Sequence, residues 1–142
     1  MKIRSLTITD YDQIVALWKN VGLPFKPSGR DRKGAVRAQM AENPDFFLGA
    51  FEDNRLVGVV IATSDGRKGW INRLAVGPDF RRMGVAEKLI LEAESVLHKH
   101  GIRMYCALID DDNEVSKQLF TKCGYKEHRD IVYFRKKPSD QT

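Results

Sequence analysis

The sequence predicts one α/β domain, built on a mixed central sheet with helices on both faces. Apolar segments with strand-like patterns and segments with helical spacing follow one another in the order β-α-α-β-β-β-α-β-α-β-β. Three successive strands are separated only by short turns, which predicts antiparallel pairing, whereas one later strand follows a helix of about four turns and must lie parallel to its neighbour. A chain of 142 residues is long enough for one domain with a substantial core.

The first half supplies two helices and the antiparallel strands. Residues 2–7 alternate as a strand, Thr9 and Asp10 signal the start of a helix, and a second helix is predicted over residues 31–42. Between them, residues 22–29 contain two glycines and two prolines. This loop, with Leu23 and Phe25 expected to be exposed, is either a wall of a substrate pocket or a simple connector.

Three strands are predicted next, over residues 46–51, 56–63 and 68–76, and Gly58 allows a bulge or the close approach of another chain. A long helix from residue 85 ends at Gly101. An internal strand over residues 103–109 follows, and a short helix over residues 114–122 ends at Gly124. A closing hairpin is predicted from residues 125–126 and 131–135. The domain should span residues 1–137, and residues 138–142 should form a polar tail.

Composition excludes several classes of protein. Apolar content is 42% and charged content 30%, and no apolar run approaches the roughly 20 residues that span a bilayer. The amino terminus lacks the apolar block of a signal peptide, so a cytoplasmic location is expected. The two cysteines and three histidines do not have metal-ligand spacing, and a buried thiol is expected at each cysteine. The net charge of +5 favours anionic partners, but no nucleic-acid recognition motif accompanies it.

Residues 71–94 are the stretch most suggestive of function. An apolar strand ends at Gly77, a basic turn with Arg81 and Arg82 follows, and a long amphipathic helix begins near Gly84 and Ala86. The first amides of a helix lack intrahelical acceptors and attract phosphate groups. A diphosphate-bearing ligand would fit there. Alternatively, the two small residues serve only close packing of helix against sheet.

Two motifs give this chain its family resemblance. They are Arg81-x-x-Gly84-x-Ala86 after a Leu-Ala-Val strand, and Asn113-x-x-Ser116-x-x-Leu119-Phe120-x-Lys122-x-Gly124-Tyr125. In this order and separation they resemble the GCN5-related N-acetyltransferase (GNAT) family, whose element order also matches throughout. Residues 65–70, at the entry to the motif strand, further resemble a small bacterial subgroup called YpeA-like.

The resemblance implies a GNAT fold in which acetyl-CoA, the cosubstrate, lies where two parallel strands splay apart. Its pyrophosphate would bind the backbone of the turn, its pantetheine arm would follow the motif strand, and a main-chain amide near Ala75 would polarise the thioester carbonyl. Asn113 would reach the pantetheine or phosphates from the next helix. The implied cofactor-binding residues are Leu74, Ala75, Val76, Arg81, Arg82, Met83, Gly84, Val85, Ala86 and Asn113.

The acid–base residues of the family are missing from the matching positions. Phe120 occupies the position of the usual tyrosine acid, and Leu108 occupies the position of a glutamate found in branches that modify ribosomal protein amino termini. The candidate catalytic residues are therefore Asn72, which could position a water, and Asp110. Tyr133 and Cys123 are weaker candidates. For each of these residues a purely structural role is the alternative.

The resemblance implies N-acetylation of a primary amine, on a small molecule or a peptide amino terminus, by direct transfer. The alternative is a non-catalytic module that binds acyl-CoA. A homodimer is possible, and no metal is expected.

Overall fold

A five-stranded sheet with the strand order β1-β2-β3-β4-β5 runs through the molecule. The structure is a computed structural model that describes residues 1–140 and 142. The elements are β1 (Lys2–Ser5), α1 (Tyr11–Asn20), α2 (Lys33–Glu42), β2 (Phe47–Glu52), β3 (Arg55–Ser64), β4 (Gly69–Val76), α3 (Val85–Lys99), β5 (Tyr105–Cys106) and α4 (Glu114–Lys122). Short 3₁₀ turns precede α1 at Ile8–Asp10 and follow β4 at Pro78–Phe80. The first four strands pair antiparallel, whereas β5 lies parallel to β4.

Both faces of the sheet are covered by helices, because successive strand residues point to opposite sides. In β2, Phe47 and Phe51 pack in a cluster with the buried side chains of α1 and α2. Leu48 and Ala50 join a second cluster with α3 and with Phe120 of α4. The predicted α/β class, with a mixed sheet between two helical layers, is confirmed.

The long helix α3 packs directly on β3 at Gly58. A Cβ built at this glycine would lie 2.9 Å from Leu89 Cδ1 and 3.1 Å from Val85 Cγ1, so a larger side chain would push the helix away from the sheet. Of the two alternatives predicted for Gly58, the bulge is present, because the register of β2 and β3 shifts between Ala50, opposite Gly58, and Phe51, opposite Leu56. The close approach is made by α3 of the same chain, and it fixes the height of α3 above the strands.

A partly buried ion pair ties β1 to the start of α1. The guanidinium of Arg4 donates to both carboxylate oxygens of Asp10, at 3.0 and 3.1 Å, and the Thr7 amide donates to Asp10 Oδ2 at 2.8 Å. Asp10 is buried. Its hydrogen bonds, above all those from Arg4, hold the pKa of the Asp10 carboxyl below its usual value.

Two sequence predictions were wrong: one strand is shorter than predicted, and one hairpin is absent from the described residues. The strand predicted over residues 103–109 pairs with β4 only at Tyr105–Cys106. The closing hairpin over residues 125–126 and 131–135 is not formed, since the described part of the chain has no strand beyond β5. Side-chain contacts hold the beginning of this segment along the helices instead. Tyr125 donates to Glu94 of α3, and Glu127 forms an ion pair with Lys117 of α4.

Two smaller predictions also need correction. Leu23 and Phe25 are half-buried and pack against the α1–α2 cluster, so the loop does not present them to solvent. Cys106 and Cys123 are unpaired, as expected, but each is half-buried and not fully covered.

In the described residues, no helix has the length and apolar character needed to cross a bilayer. Within the same residues, His, Cys, Asp and Glu side chains do not gather in any group of three or more that could hold a metal ion.

Candidate functional site

A wedge opens between β4 and β5, the two parallel strands of the sheet. They pair at Gly69 with Tyr105 and at Trp70 with Cys106, and the Gly69 amide donates to the Met104 carbonyl at 2.8 Å. Beyond these pairs, β4 continues for six residues without β5 beside it. The carboxyl-terminal part of β4 therefore has an open side in the sheet.

A β-bulge lies in β4 beyond its last pair with β5. Ala75 pairs with Val59 and Asn72 with Ile61, so two residues of β4 stand opposite the single residue between these β3 partners. Arg73, one of those two, has a φ of 51°, in the left-handed region that non-glycine residues rarely adopt. Bulges bend a strand and increase its twist. This one lies beyond Trp70, the last residue of β4 that pairs with β5, and so within the open part of the strand.

The wide end of the wedge leads to the turn before α3. Arg82 and Gly84 both have left-handed backbone conformations, with φ values of 65° and 77°. Gly84 is the N-cap of α3 and offers no side chain to its amides, and the first helical bond runs from the Lys88 amide to the Gly84 carbonyl. The amides that precede Lys88 in this turn therefore have no acceptor within the helix. Together with the helix dipole they form a site suited to an anion.

Gly84 is not required for close packing. A Cβ built on it would have no atom within 4 Å. The space in front of the turn is thus open, and the glycine is explained by its φ or by the approach of a ligand to the backbone. Arg81, Arg82 and Met83 are exposed at this turn, and Arg81 Nε donates to the Val76 carbonyl at 3.3 Å. The residues present fit a diphosphate group.

The predicted pantetheine path follows the last three residues of β4, Leu74, Ala75 and Val76. Leu74 and Val76 are half-buried and pack against the α3 cluster, whereas Ala75 is buried in the α1–α2 cluster. These side chains therefore pack into the apolar layers above and below the sheet. The backbone of β4 lies between the two layers, and one of its edges is open. An extended ligand could lie along it as a strand does.

The two candidate catalytic residues differ in their surroundings: Asn72 makes side-chain hydrogen bonds within the sheet, whereas Asp110 is exposed in a loop. Asn72 Nδ2 donates to Thr63 Oγ1 at 2.8 Å and to the Trp70 carbonyl at 3.4 Å, so its amide nitrogen is directed at its own strand and at β3. Asp110 is exposed in the loop after β5, and its carbonyl accepts from the Asn113 amide at 2.9 Å. Contacts with the rest of the chain therefore engage Asn72 Nδ2, whereas the Asp110 carboxylate stands at the surface.

Asn113 is the N-cap of α4. Its Oδ1 accepts from the Ser116 amide at 3.1 Å, which satisfies one of the amides at the start of that helix. Next to it, Asp111 binds Lys117 Nζ at 2.7 Å, and this bond and the nearby positive charges lower the pKa of the Asp111 carboxyl. The structure thus gives Asn113 a capping role, and its Nδ2 is the atom left to meet a ligand.

Phe120 lies in the core. It is 6% exposed and packs edge-on against Tyr125, with ring centroids 5.0 Å apart. Tyr125 donates its hydroxyl to Glu94 Oε2 at 2.5 Å, and burial together with this carboxylate raises the pKa of Tyr125. Burial also raises the pKa of the Cys123 thiol. Neither group is adapted to give up a proton near neutral pH.

The sequence reasoning missed a buried cluster around Arg73. Its guanidinium carbon lies 4.0 Å over the Trp18 ring, and Nη2 donates to the Pro24 carbonyl at 2.8 Å and lies 3.5 Å from Asp31 Oδ2. Asp31 is 4% exposed and also accepts from the Lys26 amide. Burial lowers the pKa of Arg73. A signal was present, since Arg73 is the one cation in the apolar strand over residues 71–76.

The Arg73 cluster joins the bulge of β4 to the loop between α1 and α2. Arg73 contacts this loop at two points, the Pro24 carbonyl and the Asp31 carboxylate. The loop that the sequence identified as pocket wall or connector is thus fixed to the strand beside the wedge.

Comparison with known proteins places the chain in a family. The sequence model of the acetyltransferase (GNAT) family matches residues 12–125. An acetyltransferase of Photorhabdus laumondii is 29% identical over 138 residues, which cover 96% of this chain and 95% of the relative. An acetyltransferase of Yersinia enterocolitica is 28% identical over 141 residues, with 99% of both chains covered.

Solved structures share the fold. The PaiA N-acetyltransferase of Thermoplasma acidophilum, in complex with coenzyme A, superposes with a TM-score of 0.75 at 23% identity, covering 88% of this chain and 89% of that one. The aminoglycoside N-acetyltransferase AAC(6')-Iy, bound to a bisubstrate analogue, gives a TM-score of 0.77 at 20% identity, covering 96% and 97%. The narrower YpeA-like resemblance stays a prediction. With the GNAT match over most of its length, its relatives and its splayed parallel strands, this chain belongs to the GNAT family of acetyltransferases and uses acetyl-CoA as cosubstrate.

Proposed function

We propose that the protein transfers the acetyl group of acetyl-CoA to a primary amine, on a small molecule or a peptide amino terminus. The observation that supports this most is the wedge between β4 and β5, which opens onto the unobstructed amino-terminal end of α3. It offers one path for an extended arm and one anion site at the end of that path. Acetyl-CoA has a diphosphate and an extended arm in this order.

The cosubstrate would be held mainly by the backbone. The amides of the turn from Arg82 to Ala86 would bind the pyrophosphate, with the exposed guanidinium groups of Arg81 and Arg82 close by. The pantetheine arm would follow the backbone of β4 from Leu74 to Val76, and Asn113 would donate through Nδ2. Backbone binding explains why few ligand-binding side chains stand out in the sequence.

Bound acetyl-CoA supplies an activated acetyl group as its thioester. The neutral amine attacks the carbonyl carbon, a C–N bond forms, the C–S bond breaks, and the sulfur leaves as a thiolate that takes up a proton. An amide of β4 near Ala75 would stabilise the carbonyl oxygen as it gains charge. A thiol pKa of about 8.5, by analogy with free cysteine, lets the thiolate leave without a strong acid.

Proton removal from the acceptor ammonium needs a base that the sequence does not name. Asn72 would act through Oδ1 by holding a water, since Nδ2 is engaged by Thr63. Asp110 would act as an exposed carboxylate at the open end of β5. In either case the proton passes to bulk water, which the open wedge admits.

The acceptor would enter on the side of the α1–α2 loop, which Arg73 and Asp31 fix beside the bulge of β4. Several relatives in fold acetylate amines, among them aminoglycoside N-acetyltransferases. A homodimer belongs to this proposal as well.

A non-catalytic acyl-CoA-binding module is the second candidate, because Phe120 fills the position of the usual acid and is buried. The test measures release of free thiol from acetyl-CoA with a panel of amines, alongside thermal unfolding with and without acetyl-CoA. We expect amine-dependent thiol release above the background hydrolysis. Stabilisation by acetyl-CoA without thiol release for any amine would support the binding module. If acetyl-CoA causes neither stabilisation nor thiol release, both candidates are refuted.

A further inference from the structure

The net positive charge of the chain is concentrated in residues 19–37, which we call the basic stretch. It runs from the end of α1 through the α1–α2 loop into α2. The stretch contains six of the 24 lysines and arginines but only one of the 19 acidic residues, so the rest of the chain has 18 of each sign and is formally neutral. The six cations are Lys19, Lys26, Arg30, Arg32, Lys33 and Arg37.

The one acidic residue of the basic stretch, Asp31, does not neutralise it. Asp31 is buried, and its Oδ2 lies 3.5 Å from Nη2 of Arg73, a cation that comes from β4 and not from the stretch. Arg30 Nε approaches the same oxygen at 3.9 Å. Within the described residues, the other five cations of the stretch form no ion pair. Their charge is therefore available to a ligand.

The basic stretch lies beside the open part of β4, on the face of the sheet that α1 covers. Arg73 of the bulge donates to the Pro24 carbonyl and lies over the Trp18 ring of α1. Leu74 and Val76 instead pack in the cluster with α3. The contacts of the stretch with β4 are thus on the opposite face from α3, whose amino-terminal turn is proposed to bind the pyrophosphate.

Lys26 and Arg30 are linked to Arg73 through Asp31. The Lys26 amide donates to Asp31 Oδ2 at 2.8 Å, the oxygen that both guanidinium groups approach. Burial lowers the pKa of Arg73, and the nearby charge of Arg30 lowers it further, although Asp31 acts in the opposite direction. Lys26 is half-buried and Arg30 is exposed, and Arg30 Nη1 also donates to the exposed Thr142 carbonyl at 3.4 Å. A single buried carboxylate thus leaves an excess of positive charge where the loop meets the strand.

The start of α2 adds to this excess. Arg32 is its N-cap and Lys33 its first residue, and no acidic residue occupies the first turn. Cations are unfavourable at this end of a helix because the helix dipole is positive there. Departures from a local rule of this kind are expected at functional surfaces.

We propose that the acceptor amine carries an anionic group, a carboxylate or a phosphate, and that Lys26 and Arg30 bind this group while the amine enters the wedge. The inference rests on the proposed acetyl transfer and names the class of its acceptor. An ammonium group alone is repelled by the basic stretch, and a polycationic amine is repelled more strongly. An anionic group on the same molecule turns this repulsion into attraction and orients the amine towards β4.

The first test compares pairs of primary amines that differ in the anionic group. The pairs are β-alanine with β-alaninamide, phosphoethanolamine with ethanolamine, and a tripeptide amide with glutamate or glutamine in its second position. Thiol release from acetyl-CoA gives kcat/KM for each amine. In at least one pair, kcat/KM should be about tenfold or more higher for the anionic member, and this preference should fall as the salt concentration rises. The pair that shows the preference identifies the anion and whether a peptide carries it.

The second test uses variants of the basic stretch. Arg30→Glu and Lys26→Glu should each lower the preference for the anionic member by about tenfold or more. Arg30→Gln, which places no second carboxylate beside Asp31, should lower it by a smaller factor. The matched control is Arg67→Glu, at an exposed residue in the turn before β4, which changes the net charge equally and should keep the preference.

Binding is measured separately from turnover, by calorimetric titration of the protein saturated with coenzyme A with each member of the pairs. If no amine releases thiol, the proposed acetyl transfer fails, but tighter binding of an anionic member that is lost in Arg30→Glu would still support the anion site. No preference for the anionic member in any pair, in either turnover or binding, would overturn the inference. An equal effect of Arg67→Glu would also overturn it. So would a higher KM for acetyl-CoA in Arg30→Glu with an unchanged preference, because the stretch would then bind the donor.

Discussion

Gly84→Ala should separate a backbone role from a ligand-binding role at the turn before α3. The glycine has a φ of 77°, where an L-residue costs about 1–2 kcal/mol in free energy of unfolding. Its Cβ would meet no protein atom within 4 Å, so packing adds nothing to that cost. The methyl group would instead stand in front of the amides proposed to bind the pyrophosphate. Losing one charge-assisted hydrogen bond costs about 1.5–3 kcal/mol, which corresponds to roughly a 10- to 100-fold weaker affinity for acetyl-CoA.

The matched control is Gly101→Ala. Gly101 lies just after the other end of α3, has a φ of 85°, and also has open space where a Cβ would be. Both variants should lose a similar free energy of unfolding in denaturant titrations. In calorimetric titrations with acetyl-CoA, only Gly84→Ala should lose affinity. Equal affinities for the two variants would refute a pyrophosphate site at this turn.

Three further changes test the ion pair, the core and the loop. Asp10→Asn should lower the free energy of unfolding by about 2 kcal/mol at neutral pH. Because Arg4 lowers the pKa of Asp10, the pair stabilises the fold above the ordinary carboxyl pKa of about 3.9, and this contribution is lost as the pH falls through the lower folded-state pKa. Phe120→Tyr should lower the free energy of unfolding by about 1–3 kcal/mol without raising kcat, since its hydroxyl would enter an apolar cluster. Arg73→Lys should raise the KM for the amine several-fold and leave the KM for acetyl-CoA unchanged, because a lysine cannot hold Pro24 and Asp31 with one planar group.

Each of these three predictions can be contradicted by a specific result. Asp12→Asn, at an exposed carboxylate in the first turn of α1, should change stability little. A deficit for Asp10→Asn that persists unchanged at strongly acid pH would exclude the ion pair as its cause. A higher kcat for Phe120→Tyr at full stability would mean that this position faces the thioester. If Arg73→Lys weakens both substrates equally, the residue supports the fold as a whole and not the acceptor side.

The element pattern was largely readable from the sequence because it depends on local signals. The predicted bounds of α4 coincide with those observed, Glu114–Lys122, since Asn113 caps its first turn and Gly124, with a φ of 96°, ends it. The order of the elements predicted helices on both faces of the sheet, and the structure assigns Phe47 and Phe51 of β2 to one helical layer and Leu48 to the other. The basic, glycine-containing turn lies, as predicted, between the end of a strand, β4, and the start of a helix, α3.

The site was readable only in part. The sequence indicated which backbone could bind a phosphate, because that property follows from a helix start and a small residue. It did not indicate that Asn72 Nδ2 is engaged by Thr63 Oγ1. This contact joins β4 to β3 and forms only when the two strands are paired.

What the sequence by itself determined is the set of elements and their order, since periodicity, caps and turn residues act within a few positions of the chain. The tertiary structure decided where strands pair and where they do not. Residues 103–109 and 131–135 are equally strand-like, yet pairing is confined to Tyr105–Cys106. A strand is completed by a partner distant in sequence, and the bulge at Arg73 and the path of the chain along α4 remove that partner. The wedge proposed to hold acetyl-CoA exists for the same reason.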